Sequence, residues 1–237
     1  MVPNAVVLVA TVRALKYHGG QSLKELQTPN VEALERGIEN LQKHIENIQQ
    51  FNLVPVVAIN RFATDSDAEL QFIKDYCTMR GVSCAVANVW GEGGAGTEEL
   101  AQLVVEATAQ GRPDFRPIYP LEDSVERKIE TIATRIYGAD GVEYTPKAKT
   151  ALKRISELGL DGLAICMAKT QKSLSDNPAL LGRPQGFTIT VRDIEIAAGA
   201  GFLVPITGEI MRMPGLPEEP AAIHIDIDDE GNISGLF

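Results

Sequence analysis

Two aromatic side chains stand at matching distances beyond two apolar runs of the sequence. Phe62 lies three residues after the run at 54–59, and Trp90 lies three residues after the run at 82–87. If these runs form neighbouring parallel strands, the two rings reach the same height at one edge of the sheet. Rings separated by the thickness of a ligand can enclose a flat heteroaromatic such as a pterin or a purine. The alternative is that both rings close the end of the apolar core.

A glycine-rich loop, GEGGAGT, follows Trp90, which is the only tryptophan of the chain. Gly93, Gly94 and Gly96 let backbone N–H groups approach an anion or the edge of a heterocycle. No Lys-Ser or Lys-Thr pair follows where a phosphate-binding P-loop requires one. A ligand contact and a simple tight turn explain this loop equally well, although its position beside Trp90 favours the ligand.

Polar residues beyond the first apolar run, residues 5–10, are candidates for contact with a nucleotide. The segment TVRALKYHGG reads as a polar loop at the carboxyl end of a strand. Cations on a ligand-binding edge of an acidic protein indicate contact with phosphate or carboxylate, and solvated side chains are the alternative. The candidates are Arg13, Lys16, His18, Gly19 and Gly20.

Three polar residues beside Phe62 could bind the edge of a heterocycle. Asn60, Arg61 and Asp65 supply the hydrogen-bond donors and acceptors that a pterin edge needs. Salt bridges on the protein surface are the alternative explanation of this cluster.

The elements that position these residues form alternating strands and helices. Apolar runs at 5–10, 54–59 and 82–87 are typical of buried parallel strands, and we expect the first to be buried on both faces. Apolar residues at helical spacing predict helices over 31–48 and 66–79. A further helix is expected to begin at Thr97 with acidic residues in its first turn. Parallel βαβ units place all the polar loops at one edge of the sheet.

A proline-containing stretch at 111–121 reads as a linker, so the sequence predicts two domains, residues 1–113 and residues 114–237. The second is expected to be a smaller mixed α/β lobe, with a helix over 122–137 and another from Thr145 to before Gly159. Short strands are predicted at 163–167, 187–191, 202–206 and 223–227.

The amino-acid composition argues against several classes of function. The formal net charge of −10 argues against a nucleic-acid partner, because an acidic chain repels a polyanion. Three cysteines without regular spacing favour free thiols in a reducing cytoplasm. No leader peptide, membrane span or metal site is predicted. His224, Asp226 and Asp228 alternate along the last strand, which we interpret as a solvated face.

Five segments of the chain together resemble formate–tetrahydrofolate ligases, over essentially the whole sequence and in the same order. The resemblance implies ATP-dependent ligation of formate to tetrahydrofolate through formyl phosphate, giving 10-formyltetrahydrofolate. It implies that Phe62 and Trp90 hold the pterin and that Gly93, Gly94 and Gly96 lie beside it. The segments are VVLVATVRALKYHGG, VPVVAINRF, ANVWGEGGAGTEEL, CMAKTQKSLSD and MPGLPEEPAAIHIDID.

The same resemblance implies Mg-ATP and tetrahydrofolate as substrates, no tightly bound cofactor, and a homo-oligomer. It implies that the first domain is the C-terminal portion of a P-loop-type nucleoside-triphosphatase-like domain. The family's P-loop and catalytic residues are expected in an N-terminal half without counterpart in these 237 residues. Ala63 stands where the family usually has proline, and Lys172 where it often has an aromatic residue.

Three interpretations follow from this resemblance. The chain is the folate-side part of a ligase, completed by a chain that carries the P-loop. Alternatively, it is a non-catalytic folate-binding protein derived from the enzyme, or an oligomerisation module without a ligand. Phe62 and Trp90 favour the first two interpretations over the third.

Overall fold

A computed structural model describes residues 2–109, 111, 114–208, 219–231 and 233–235. The first sheet has three parallel strands in the order β1 (Val6–Ala10), β2 (Pro55–Asn60) and β3 (Cys84–Ala87). The expected parallel βαβ arrangement is confirmed. The register pairs Ala10 with Ile59, and Asn60 with Ala87, so all three strands end at the same edge.

The central strand β2 is buried, as its apolar run predicts, but the expectation that β1 is buried on both faces is wrong. Val7 is 41% exposed and Val9 is 62% exposed, whereas Ala10 is buried. Helices cover only one face of β1 within the described residues, so its alternate side chains face outward.

The segment after β1 is a helix, which corrects the expected polar loop. Helix α1 spans Val12–His18, and the hydroxyl of Thr11 caps it by accepting from the backbone N–H of Ala14. Val12 and Leu15 turn toward the core. Lys16 and His18 therefore stand on a helix rather than on a loop at the edge of the sheet.

Two longer helices complete the βαβ units, as the apolar spacing predicts. Helix α2 (Val31–Gln49) begins at Asn30, whose side chain accepts from the backbone of Ala33. Helix α3 (Asp67–Met79) begins at Ser66 with a capping box, in which Ser66 and Glu69 satisfy each other's backbone N–H groups.

The chain after β3 forms two short helical segments before a regular helix. Helix α4 (Val89–Glu92) and a 3-10 turn (Ala95–Thr97) precede helix α5 (Glu98–Ala109). Helix α5 begins directly after Thr97, with Glu98 and Glu99 in its first turn, as expected. The hydroxyl of Thr97 donates to the carbonyl of Gly94 at 2.8 Å, within the preceding turn.

The second lobe contains fewer regular helical turns than the sequence predicts. The expected helix over 122–137 is divided into α6 (Val125–Thr131) and a π-helical segment (Ile132–Tyr137). Helix α7 (Pro146–Glu157) begins after Thr145 as predicted. Both α6 and α7 pack an apolar side onto the sheet of this lobe.

That sheet is mixed and contains β4 (Gly141–Tyr144), β5 (Ala164–Ile165), β6 (Thr188–Ala197) and β7 (Phe202–Thr207), in the order β4–β6–β7–β5. Strand β4 was not expected from the sequence. Strand β5 is shorter than the strand predicted at 163–167. Strand β6 begins one residue later than the strand predicted at 187–191 and continues beyond it, and β7 extends the strand predicted at 202–206 by one residue.

The predicted strand at 223–227 is wrong over its first half. A 3-10 turn (Ala221–His224) precedes β8 (Asp226–Ile227), which pairs with β9 (Ile233–Ser234). The family-like segment that begins at 213 lies partly outside the described residues. Within the described ranges, no helix combines the length and the apolarity needed to cross a bilayer.

Contacts join the two predicted domains. The side chain of Asn40 donates to the carbonyl of Gly182 at 2.8 Å, and Lys43 Nζ donates to the carbonyl of Arg135 at 2.7 Å. Arg183 binds Glu46 through both ends of its guanidinium, at 2.7 and 3.1 Å. The division of the chain near residue 113 stays a prediction.

Candidate functional site

A cavity of about 1000 Å³ opens at the carboxyl ends of β2 and β3. This is the position at which parallel α/β sheets bind ligands. The lining comes from the residues just beyond these two strands and from the start of α1. These residues are Arg13, Asn60, Arg61, Phe62, Ala63, Asn88, Val89, Trp90, Gly91 and Glu92.

Phe62 is held in place through both its backbone and its ring. Its backbone N–H donates to Oδ2 of the buried Asp65 at 2.8 Å. The guanidinium carbon of Arg13 lies 4.1 Å from the centre of the Phe62 ring, within the range of a cation–π contact. One face of the ring is therefore covered by a cation, and the ring also lines the cavity.

Trp90 lies on α4 and lines the same cavity. Its side chain is 95% exposed, so the alternative in which Trp90 closes the end of the core is wrong. Because the indole is almost fully exposed, stacking on a bound heterocycle would bury apolar surface that now faces water. The two aromatic residues selected by their spacing thus line one cavity at one edge of the sheet.

The glycine-rich loop owes its composition partly to its own folding. The backbone N–H of Asn88 donates to the carbonyl of Gly96 at 2.9 Å, so the loop closes onto the end of β3. A Cβ atom on Gly96 would lie 2.4 Å from the carbonyl oxygen of Asn88. Gly93 has φ of 59° and ψ of −137°, a conformation that only glycine adopts readily. Gly94 has neither constraint.

Two buried polar atoms beside Phe62 lack a hydrogen-bond partner within the part of the chain that the structure describes. They are Nε of Arg13 and Oδ1 of Asp65. Burial raises the pKa of Asp65, while the bond from the Phe62 N–H acts in the opposite direction. Arg13 lines the cavity, so its unpaired Nε fits a site that is completed by a ligand, whereas Asp65 is not among the lining residues and supports the site through the backbone of Phe62.

Comparison with known families identifies the family of this chain. A family model for formate–tetrahydrofolate ligase matches residues 1–237. The chain belongs to the formate–tetrahydrofolate ligase family. Membership implies ATP-dependent ligation of formate to tetrahydrofolate as the family's reaction, with small-molecule substrates that include formate, tetrahydrofolate and ATP.

Lys16 is one of the predicted nucleotide contacts, but it does not line the cavity. Its Nζ forms an ion pair with Glu69 at 2.8 Å, and both side chains are fully buried. The same Nζ donates to the carbonyl of Thr28 at 3.0 Å. Burial alone would raise the pKa of Glu69, but bonds from Lys16, Ser66 and Asn30 outweigh it and lower that pKa. The expectation that Lys16 stands free at the sheet edge is wrong.

His18 and Gly19 also contact other parts of this ligase-family chain. The Nδ1 atom of His18 accepts from the backbone N–H of Gly182 at 3.1 Å, which ties α1 to the second lobe. A Cβ on Gly19 would lie 1.8 Å from the carbonyl oxygen of Ala33, so this glycine allows α1 and α2 to approach closely. Gly20 turns the chain with φ of 90°. Among the predicted nucleotide contacts, Arg13 is the one that lines the cavity.

Asn60 and Arg61 stand at the cavity as expected. Asn60 is the last residue of β2, and Arg61 follows it with a half-exposed side chain. Arg61 lies 3.5 Å from the almost fully exposed Asp67, a contact that leaves its guanidinium available for an anionic ligand.

Sequence reasoning missed the role of Arg13 as a partner of Phe62. The signal was present, because Arg13 lies three residues beyond the end of β1, the same offset that selects Phe62 and Trp90. The interpretation of the segment after β1 as a loop leaves this shared offset of Arg13, Phe62 and Trp90 unrecognised.

Around His224, as elsewhere within the described ranges, no three His, Cys, Asp or Glu side chains lie close enough together to bind a metal ion.

Proposed function

We propose that this chain supplies the tetrahydrofolate side of the family's ligation, with the pterin ring held between Phe62 and Trp90. The observation that carries this proposal is that both side chains line one cavity at the carboxyl ends of adjacent strands. The family's substrate contains a reduced pterin, whose planar pyrimidine ring fits between two aromatic rings. Gly93, Gly94 and Gly96 then shape the loop that presents Trp90.

Polar groups around Phe62 match the edge of a pterin. Its pyrimidine ring carries an amino group and a ring N–H as donors, and a carbonyl as acceptor. Asn60 lines the cavity and offers both a donor and an acceptor, whereas Asp65 lies outside the lining and holds the backbone N–H of Phe62. Arg61, at the cavity edge, is placed to attract the carboxylates of the folate tail.

The nucleotide side of the reaction comes, in this proposal, from outside the described site. Phosphoryl transfer needs a cradle of N–H groups, a lysine and a hydroxyl-held Mg²⁺. The sequence contains no GxxxxGK[ST] pattern, and Lys16 is engaged by Glu69. A further segment or a partner chain with a P-loop would bind Mg-ATP and carry the catalytic residues. Assembly with such a chain, or as a homo-oligomer in the cytoplasm, belongs to the same proposal.

Calorimetric titration tests the folate site. We expect tetrahydrofolate to bind the full chain, and we expect Phe62→Leu to weaken binding by about threefold to tenfold because it removes one stacking ring. Phe72→Leu is the matched control, because Phe72 packs against the core away from the cavity. Equal affinity in wild type and Phe62→Leu would contradict the proposed stacking.

An activity assay tests whether this chain needs a separate fragment with a P-loop for turnover. The chain alone should form no 10-formyltetrahydrofolate from ATP, formate and tetrahydrofolate, whereas adding a family fragment that carries the P-loop should restore turnover. Turnover by the purified chain alone would show that the nucleotide site lies within these 237 residues.

A further inference from the structure

We infer that Arg13 is a positioning residue that fixes the ring of Phe62, so that one face of the ring is presented to the cavity. This inference rests on the proposed function and adds a residue to the same site. The guanidinium of Arg13 lies 4.1 Å from the centre of the Phe62 ring. Arg13 therefore acts on a ligand through Phe62 as well as lining the cavity itself.

Arg13 is itself oriented by a hydrogen bond to the loop that carries Phe62. It lies in the first turn of α1, directly after the capping residue Thr11 and the buried Val12. Its Nη2 donates to Oγ1 of Thr64 at 3.1 Å. The arginine thus joins the start of α1 to the loop that carries Phe62, and Thr64 sets the orientation of its guanidinium.

Phe62 is anchored at two separate points. Asp65 binds its backbone N–H, which fixes the loop, whereas Arg13 covers one face of its ring. The backbone bond alone leaves the ring free to rotate about its side-chain torsions. The guanidinium removes that freedom before a ligand arrives, and pre-organisation of this kind lowers the entropic cost of binding.

The guanidinium of Arg13 also changes which ligands bind well to the uncovered face of the Phe62 ring. A guanidinium on one face of the Phe62 ring attracts its negative π-cloud, so the opposite face repels a heterocycle's electrons less. The open face then favours a neutral, electron-rich ring such as a reduced pterin. A cationic aromatic ligand is disfavoured, because it would lie on the same ring as Arg13.

The test measures the Kd of tetrahydrofolate by calorimetry on the full chain and on variants of this contact. Arg13→Met keeps the length of the side chain but removes the guanidinium, and it should raise the Kd by about threefold to tenfold. Thr64→Val removes the acceptor and should raise the Kd by a smaller factor, whereas Thr64→Ser restores the hydroxyl and the affinity. Thr64 does not line the cavity and its hydroxyl accepts from Arg13, so recovery of affinity in Thr64→Ser would assign the effect to that bond.

Two controls separate positioning from general destabilisation. Arg80→Met removes a matched guanidinium that lies 5.1 Å from the ring of Tyr76, at the far end of α3, and should leave the Kd unchanged. The ring proton resonances of Phe62 should shift in Arg13→Met and Thr64→Val but not in Thr64→Ser. A purely structural role for Arg13 would lower the unfolding temperature without this pattern.

The outcomes distinguish the inference from the function on which it rests. Failure of the wild-type chain to bind tetrahydrofolate would overturn the proposed function. Wild-type binding with unchanged Kd in both Arg13→Met and Thr64→Val would overturn the positioning role alone. Equal losses in Thr64→Val and Thr64→Ser would also overturn it, because the hydroxyl would then not be the cause. If Arg13→Met fails to fold, the comparison of Thr64→Val with Thr64→Ser decides.

Discussion

Lys16 and Glu69 form an ion pair of 2.8 Å in which both side chains are completely buried. The pair joins α1 to the first turn of α3, and Glu69 also accepts from the backbone N–H groups of Asn30 and Ser66. One carboxylate thereby holds the starts of α2 and α3 together with α1. Helix α1 carries Arg13, and α3 follows the loop that carries Phe62, so the pair stabilises the framework of the site.

Removing one partner of this pair should be strongly destabilising. Lys16→Met leaves the carboxylate of Glu69 buried without its cation, and we expect a loss of about 3–5 kcal/mol in the free energy of unfolding. Adding Glu69→Gln should recover part of that loss, because no buried charge remains unpaired. Lys153→Met, in an exposed pair with Glu157, is the control and should change stability by less than about 1 kcal/mol. Denaturant unfolding is measured for the wild type, Lys16→Met, Glu69→Gln, the double variant and Lys153→Met; an additive double variant would contradict a coupled pair.

Acidification should act on the same carboxylate. The pKa of Glu69 is lowered in the folded chain, because bonds from Lys16, Ser66 and Asn30 outweigh the opposing effect of burial. Its contribution to stability is therefore complete above the ordinary glutamate pKa of 4.5 and is lost as the pH falls through the lower folded pKa. Glu69→Gln should flatten this part of the stability profile. An unchanged slope in that variant would show that other carboxylates are responsible.

His18 should make the contact between the lobes sensitive to pH. Its Nδ1 accepts from the N–H of Gly182, so the bond requires a neutral imidazole. Burial first, and then the charge of His44, lower the pKa of His18 below 6.5. The unfolded chain binds a proton more readily, so stability is complete above 6.5 and falls as the pH drops through the folded pKa.

His18→Gln provides the test of this contact, because an amide oxygen accepts a hydrogen bond at any pH. We expect the variant to lose less stability than the wild type between pH 6.5 and the lower folded pKa. Hydrogen exchange at the Gly182 amide should accelerate in acid in the wild type and stay constant in the variant. Identical exchange profiles would show that His18 does not control this contact.

The glycines beside Trp90 should differ in their tolerance of alanine. Gly96→Ala places a Cβ 2.4 Å from the carbonyl oxygen of Asn88, so the bond between the Asn88 N–H and Gly96 must break or shift. Gly94→Ala meets nothing within 4 Å and has an ordinary helical conformation, so it is the matched control. We expect faster amide exchange at Asn88 in Gly96→Ala alone. Similar exchange in both variants would contradict the role assigned to Gly96.

The sequence was sufficient to predict the three-stranded parallel sheet and the shared cavity of Phe62 and Trp90. Continuous apolar runs identify buried strands without knowledge of their partners. Residues at equal offsets beyond the ends of neighbouring parallel strands lie at equal heights along the edge of the sheet. The same reasoning did not identify α1, since seven residues are too few to establish a helical period.

Long-range pairing explains most of the remaining errors. Lys16 looks like a free cation until Glu69, far along the chain, is brought beside it. His18 likewise looks like a ligand contact until Gly182 approaches it from the second lobe. In that lobe, β4 has four residues, too few for an alternating pattern to be recognised.

Titration of Trp90 fluorescence with tetrahydrofolate tests the central claim most directly, because this residue is the only tryptophan of the chain. Free N-acetyltryptophanamide corrects for light absorbed by the folate, and ATP is titrated in parallel to distinguish a pterin site from a purine site. We predict saturable quenching by tetrahydrofolate, weakened in Phe62→Leu, and little response to ATP. No saturable quenching by tetrahydrofolate, or equal quenching in Phe62→Leu, would contradict a pterin held between Phe62 and Trp90.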